Sequence, residues 1–167
     1  GYKRNEESFA ALIDILEHES DPNVIAEAAN SLSKFGLKSI PYLVSIFEQK
    51  SHWLIRQSIL ATFEDLEDPE SLLRLCRLGL KSEEVTVKLD AIAALGWLRN
   101  SPKAPEALEL LLERTADKNA LVRANVARVL RLFEGVKAQL ALAKLQEDCD
   151  YRVVRVALDG LLEREGY

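Results

Sequence analysis

Five arginines fall close together near the end of this 167-residue sequence: Arg123, Arg128, Arg131, Arg152 and Arg155. A guanidinium presents a planar fork of N–H donors that matches carboxylates and phosphates two bonds at a time. Arg128, Arg131 and Arg152 are therefore read as candidate anion-binding or partner-binding residues. A second set is apolar or amide-bearing: Trp53, Gln57 and Leu89, with Trp53 foremost because tryptophan concentrates at binding hot spots. The nucleophile chemistry is poor. The two cysteines, Cys76 and Cys149, lie far apart without disulfide or zinc spacing, and no Gly-x-Ser-x-Gly or glycine-rich phosphate loop occurs. Cys76 fits an apolar helical stretch and is expected in the core, while Cys149 stands between two aspartates. No catalytic residue is assigned, and the enzyme question is left open with the balance against catalysis.

The elements that must position these residues repeat. The segments VIAEAANSL (24–32), IRQSILATF (55–63), VKLDAIAAL (87–95), VRANVARVL (122–130) and VRVALDGLL (154–162) begin at Val24, Ile55, Val87, Val122 and Val154. In each, apolar residues recur at steps of four and form one stripe of an amphipathic helix. A second apolar segment precedes every copy, from FAALIDIL (9–16) to QLALAKLQ (139–146), so the unit is a helix pair. Asp21-Pro22 and Asp68-Pro69 read as N-caps followed by proline at the first helical position, and Gly36 and Gly135 as helix stops. Counted from the first Val or Ile of each copy, Trp53, Gln57, Leu89, Arg128, Arg131 and Arg152 point away from the stripe. So do Val85, Leu60, Ile92 and Val156, which together would make an apolar strip unless the helices contact neighbours on both sides and bury a wider arc.

Composition agrees with an all-α protein. Hydrophobic residues make up 48% and charged residues 29%, rich in Leu, Ala, Glu, Lys and Arg. The formal net charge of −5 argues against a nucleic-acid partner, since nonspecific affinity comes from Lys and Arg on phosphates. The charge is uneven: residues 1–84 hold 9 Lys+Arg against 15 Asp+Glu, and residues 85–167 hold 13 against 12. With no apolar run of about 18–20 residues, no membrane association is expected, and the cysteine usage suits a reducing, cytoplasmic setting. The absence of Met, an initiator included, points to a processed or trimmed start.

The Val-Arg or Val-Lys starts followed by small and apolar residues and Leu, with Asp/Asn turns such as Asp117-Lys118-Asn119, resemble HEAT repeats, and in particular the HEAT-like repeats of phycobilisome lyases. The resemblance covers residues 8–165. It implies a right-handed α-solenoid of five two-helix repeats, about ten helices, forming a single domain over 1–167. The repeats would fall near 8–35, 38–65, 69–99, 103–134 and 136–165. It further implies that the Val-Arg helices line the concave side and that Arg56, Lys88, Arg123 and Arg155 form a ladder between repeats, with Ile25 breaking the pattern in the first. His18-Glu19 resembles one of the His-Glu pairs that bind iron in the HEAT-repeat enzyme deoxyhypusine hydroxylase. That site needs several such pairs and this sequence has two histidines, so neither a metal nor another cofactor is expected. The function expected is a noncatalytic scaffold that binds a protein on its concave face. The alternative is a bilin lyase-like or chaperone subunit handling a tetrapyrrole, its partner then a phycobiliprotein.

Overall fold

The computed structural model describes residues 2–162, all helix and turn. Residues 1–90 and 91–167 form two compact units. The first contains α1 (Tyr2–His18), α2 (Pro22–Ser33), α3 (Ile40–Gln49), α4 (Trp53–Thr62), α5 (Pro69–Gly79) and the start of α6 (Val85–Trp97). The second holds the rest of α6, α7 (Ala104–Arg114), α8 (Ala120–Leu130), α9 (Val136–Leu145) and α10 (Tyr151–Leu162).

Side-chain caps set where several of the helices begin. Asp21 accepts the Asn23 N–H at 2.8 Å with Pro22 at the first helical position, and Asp68 accepts the Ser71 N–H at 3.2 Å with Pro69 likewise placed. These contacts satisfy N–H groups that have no partner within the helix. Gly36 and Gly135 have φ of +70° and +99°, backbone that a side chain would strain, and each ends a turn by redirecting the chain into the next helix pair. The core of the first unit is built from residues such as Leu32, Leu43, Phe47, Ile59 and Phe63. That of the second comes from Leu95, Leu111, Val126, Leu130 and Ala157.

The four-residue stripes are buried throughout α4, α6 and α8, but two helices depart. In α2, Val24 is 41% exposed and Ile25 is buried. This helix packs chiefly on α1 and α4, and the other stripe members, Ala28 and Leu32, are buried. In α10 the buried residues are Val153, Val156 and Ala157, while Val154 is half-buried and Leu158 is 42% exposed. The expected stripe was one residue late there, and its last member, Leu162, lies outside the described side chains. Of the apolar positions off the stripe, Leu60, Ile92 and Val156 are buried, in keeping with helices that contact neighbours on both sides and bury a wider arc, and they form no exposed strip. Cys76 is fully buried, and burial pushes its thiol far above the ordinary range.

Candidate partner-binding face

The second helix of each pair starts on one plan. The backbone N–H of Ile25, Arg56, Lys88, Arg123 and Val154 donates to the carbonyl of the cap residue four positions earlier: Asp21, His52, Glu84, Asn119 and Asp150. Cap side chains reinforce the start. His52 Nδ1 accepts the Leu54 N–H, Asn119 the Leu121 N–H and Asp150 the Arg152 N–H.

Counting from these caps puts Arg56, Lys88 and Arg123 in one register, four residues in. Arg56 Nε donates to the carbonyls of Phe47 and Lys50, closing the C-terminal end of α3, and its guanidinium lies 5.2 Å from the Phe47 ring centre. Arg123 Nη1 does the same for the turn after α7, donating to the Asp117 and Lys118 carbonyls. Its other face meets Asp148 in a two-point fork, Nε to Oδ2 at 2.7 Å and Nη2 to Oδ1 at 2.8 Å. This fork holds the Asp148 carboxyl below its ordinary range. Asp148 also accepts the Asp150 N–H, so one carboxylate ties the guanidinium to the cap of α10. Lys88 is half-buried, and Arg155 is exposed one residue past the register; neither side chain has a hydrogen bond or ion pair among the described residues. Where Ile25 cannot donate, Lys50 supplies a substitute, its Nζ reaching back to the Glu19 carbonyl at 3.2 Å.

Positions two, six and nine residues after the caps of α2, α4 and α8, with position five of α4 and positions two and five of α10, line an open face. In the first unit they surround a groove of about 400 Å³ between α2 and α4, formed by Asn23, Glu27 and Asn30 opposite Leu54, Gln57 and Ser58. Ser58 Oγ donates to the Ala26 carbonyl and locks the two helices in register. Trp53, at the first position of α4, is 42% exposed and stacked on His52. Gln57 hydrogen-bonds to Asp90 on α6, the residue after the half-buried Leu89. Asp90 Oδ2 is buried with no hydrogen-bond partner, and desolvation raises the carboxyl above its usual range.

The same positions in the second unit carry Leu121, Asn125 and Arg128 on α8, and Arg152 and Arg155 on α10, two helices that pack together. Arg128 donates to Asn125 at 2.8 Å. Arg152 forks onto Asp150, which this contact lowers to about 2. Leu121, 46% exposed, lies one helical turn from Asn125. Arg131 stands apart as the half-buried C-cap of α8. Thus Trp53 and Gln57 share α4, and Arg128 and Arg152 share the α8–α10 pair. Sequence reasoning passed over Asp90, Leu121 and Asn125, which a count from the cap residues would have placed on the open face.

Among the described residues, no group of three His, Cys, Asp or Glu side chains is arranged to hold a metal, and no helix is long and apolar enough to cross a membrane. The family profile for HEAT repeats matches residues 1–64 and 72–161. The chain belongs to the HEAT-repeat family. Comparison with curated proteins finds no match. Among solved structures, this HEAT-repeat chain is similar to one in the complex of CpcE and CpcF of phycocyanin lyase from Nostoc sp. PCC7120. The TM-score is 0.72 at 20% identity, covering 93% of this chain and 98% of that one. The fold is thus the all-α solenoid of HEAT repeats.

Proposed function

We propose that the chain is a bilin lyase-like subunit that grips a phycobiliprotein through the open face of its capped helices. The observation that carries this reading is the extent of the likeness to the phycocyanin lyase complex chain, which runs nearly end to end in both proteins. The chemistry of the second unit is compatible. Arg128 and Arg152 offer guanidinium forks to carboxylates such as tetrapyrrole propionates, and the exposed Leu121 offers apolar surface to a flat ring system. Asp150 and Asn125 each hold one of the two guanidinium groups in place before any ligand arrives, which reduces the ordering cost of binding.

The test mixes the purified chain with a free bilin, and separately with a phycobiliprotein, following bilin absorbance and fluorescence. A spectral shift, lost about tenfold in affinity in Arg128→Glu/Arg152→Glu, is the expected result. An unchanged spectrum together with no complex with the phycobiliprotein overturns the reading. A pigment-free scaffold is the second reading, favoured by the α2–α4 groove, whose Asn23, Asn30 and Gln57 amides suit peptide hydrogen bonding. A stable complex with a colourless protein, abolished by Asn30→Ala/Gln57→Ala in the groove, would select it.

A further inference from the structure

The second helix of each pair has two flanks, and a hydrogen bond fixes which meets which. Ser58 Oγ, six residues past its cap on α4, donates to the carbonyl of Ala26, five past its cap on α2. Residues three or four apart share a helix face. Positions three, six and seven of the later helix therefore lie on the flank turned to the earlier one, and positions five and eight of the earlier helix on the flank turned to the later. The Arg123–Asp148 fork runs the same way, from position four of α8 to the turn ahead of α10.

Burial follows this plan except in two places. Position three is at most 2% exposed in Ile55, Val87, Val122 and Val153, but Val24 of α2, the first such helix, is 41% exposed. Position eight is at most 1% exposed in Ala29, Leu60, Ile92 and Ala127, but Leu158 of α10, the last, is 42% exposed. Tyr151, 77% exposed, and the half-buried Val154 extend the Leu158 stripe by two turns. The two sides of a helix junction are thus left open, one on α2 and the other on α10.

The polar part of the junction is open in the same two places. Asp148, two residues before its cap, accepts the Asp150 N–H and takes the Arg123 fork. Glu19, two residues before Asp21, likewise accepts the Asp21 N–H through Oε1 at 3.0 Å, and its Oε2 has no partner among the described residues. Arg155, one residue past the Arg123 register, is exposed, and its guanidinium is unpaired among the described residues. We propose that the α10 flank of one molecule docks on the α2 flank of a second copy. Leu158 and Val154 then meet Val24, and Arg155 meets Glu19 in the way Arg123 meets Asp148. A second copy is the occupant because the open surfaces are the two sides of a junction the chain already makes, α2 with α4 and α8 with α10, and carry unlike charges at matching points. Because the surfaces differ, association is head to tail and continues past a symmetric pair. The apolar area is small, so the association is weak and concentration-dependent. It uses neither Arg128 nor Arg152 and does not rest on the bilin reading.

Sedimentation equilibrium of the whole chain, from micromolar to submillimolar concentration, tests this. The wild type is expected to gain mass with concentration beyond two copies. Val24→Glu and Leu158→Glu, each at an exposed side chain, should keep wild-type circular dichroism and stay monomeric. An equimolar mixture of the two should form a complex of two copies and nothing larger, since one variant retains the α10 flank and the other the α2 flank. Arg155→Glu should weaken wild-type association about tenfold. Should either apolar variant unfold, Glu19→Gln stands in for Val24→Glu and Arg155→Glu for Leu158→Glu. A wild type monomeric throughout, association that survives either apolar variant, or a mixture as monomeric as its components overturns the proposal.

Discussion

Arg123 carries more structural duty than any other charged residue in the second unit. With 12% of its side chain exposed, it joins two backbone carbonyls to a carboxylate that is itself 9% exposed. A charge-assisted, nearly buried fork is worth far more than a surface ion pair, and removing one member strands the other. Arg123→Ala is therefore expected to cost about 2–4 kcal/mol in urea unfolding at pH 7. Arg155→Ala, at an exposed side chain, should stay within about 0.5 kcal/mol. The fork is also titratable. Its folded-state carboxyl is depressed, so its contribution is fully present above the unfolded aspartate value of about 3.9 and is lost as pH falls through the folded value. The gap between wild type and Arg123→Ala should accordingly narrow below about pH 4. A gap that persists unchanged in acid would mean the carbonyl contacts, not Asp148, supply the stabilisation.

At the scale of a helix, α10 shows what could be read in the sequence and what could not. The four-residue stripe places α4, α6 and α8 correctly: in α4 and α8 one register alone is apolar throughout, and in α6 the stripe Val87, Ala91, Leu95 is the buried one. In α10 the run Arg152-Val153-Val154-Arg155 is symmetric, and two registers are nearly equal by hydropathy alone. The decision comes from Asp150, whose carboxylate takes the Arg152 N–H and fixes Tyr151 as the first helical residue. Val153→Ala should then cost about 2 kcal/mol, having lost two buried methyl groups, whereas Val154→Ala should cost well under 1 kcal/mol. Thermal unfolding of the pair checks the register directly, and a larger loss at Val154 would refute it. The open face was legible in part for the same reason. The exposure of Trp53 follows from its offset to the stripe. The buried hydrogen bond between Gln57 and Asp90 joins α4 to α6, and no pattern within either helix announces it.

Over the chain as a whole, acidic groups respond to pH in two opposed ways. Asp21, Glu19, Asp148 and Asp150 are all lowered, chiefly by hydrogen bonds from backbone N–H groups or arginines at helix starts, and they favour the folded state above about pH 4. Asp90 runs the other way. Desolvation raises its folded-state value, so its favourable contribution is complete below the unfolded value of about 3.9 and is lost as pH rises through the folded one. At pH 7 the ionised carboxylate is a net cost, since Oδ2 is buried without a donor and Gln57 offsets only part of the desolvation. A destabilising polar group on an otherwise consistent helix is the pattern of a position retained for binding rather than for folding. Asp90→Asn, which keeps the shape and the Gln57 contact, should raise the melting temperature at pH 7 by about 1–2 °C at most, because solvent reaches the half-buried side chain and screens its charge. At pH 3 the wild-type side chain is neutral as well, and the two melting curves should coincide. The same substitution should weaken binding of a partner that brings an N–H donor or a cation to Oδ2. A variant less stable than wild type at pH 7 would show that the carboxylate is compensated in the folded chain, and the case for Asp90 as a binding residue would fall with it.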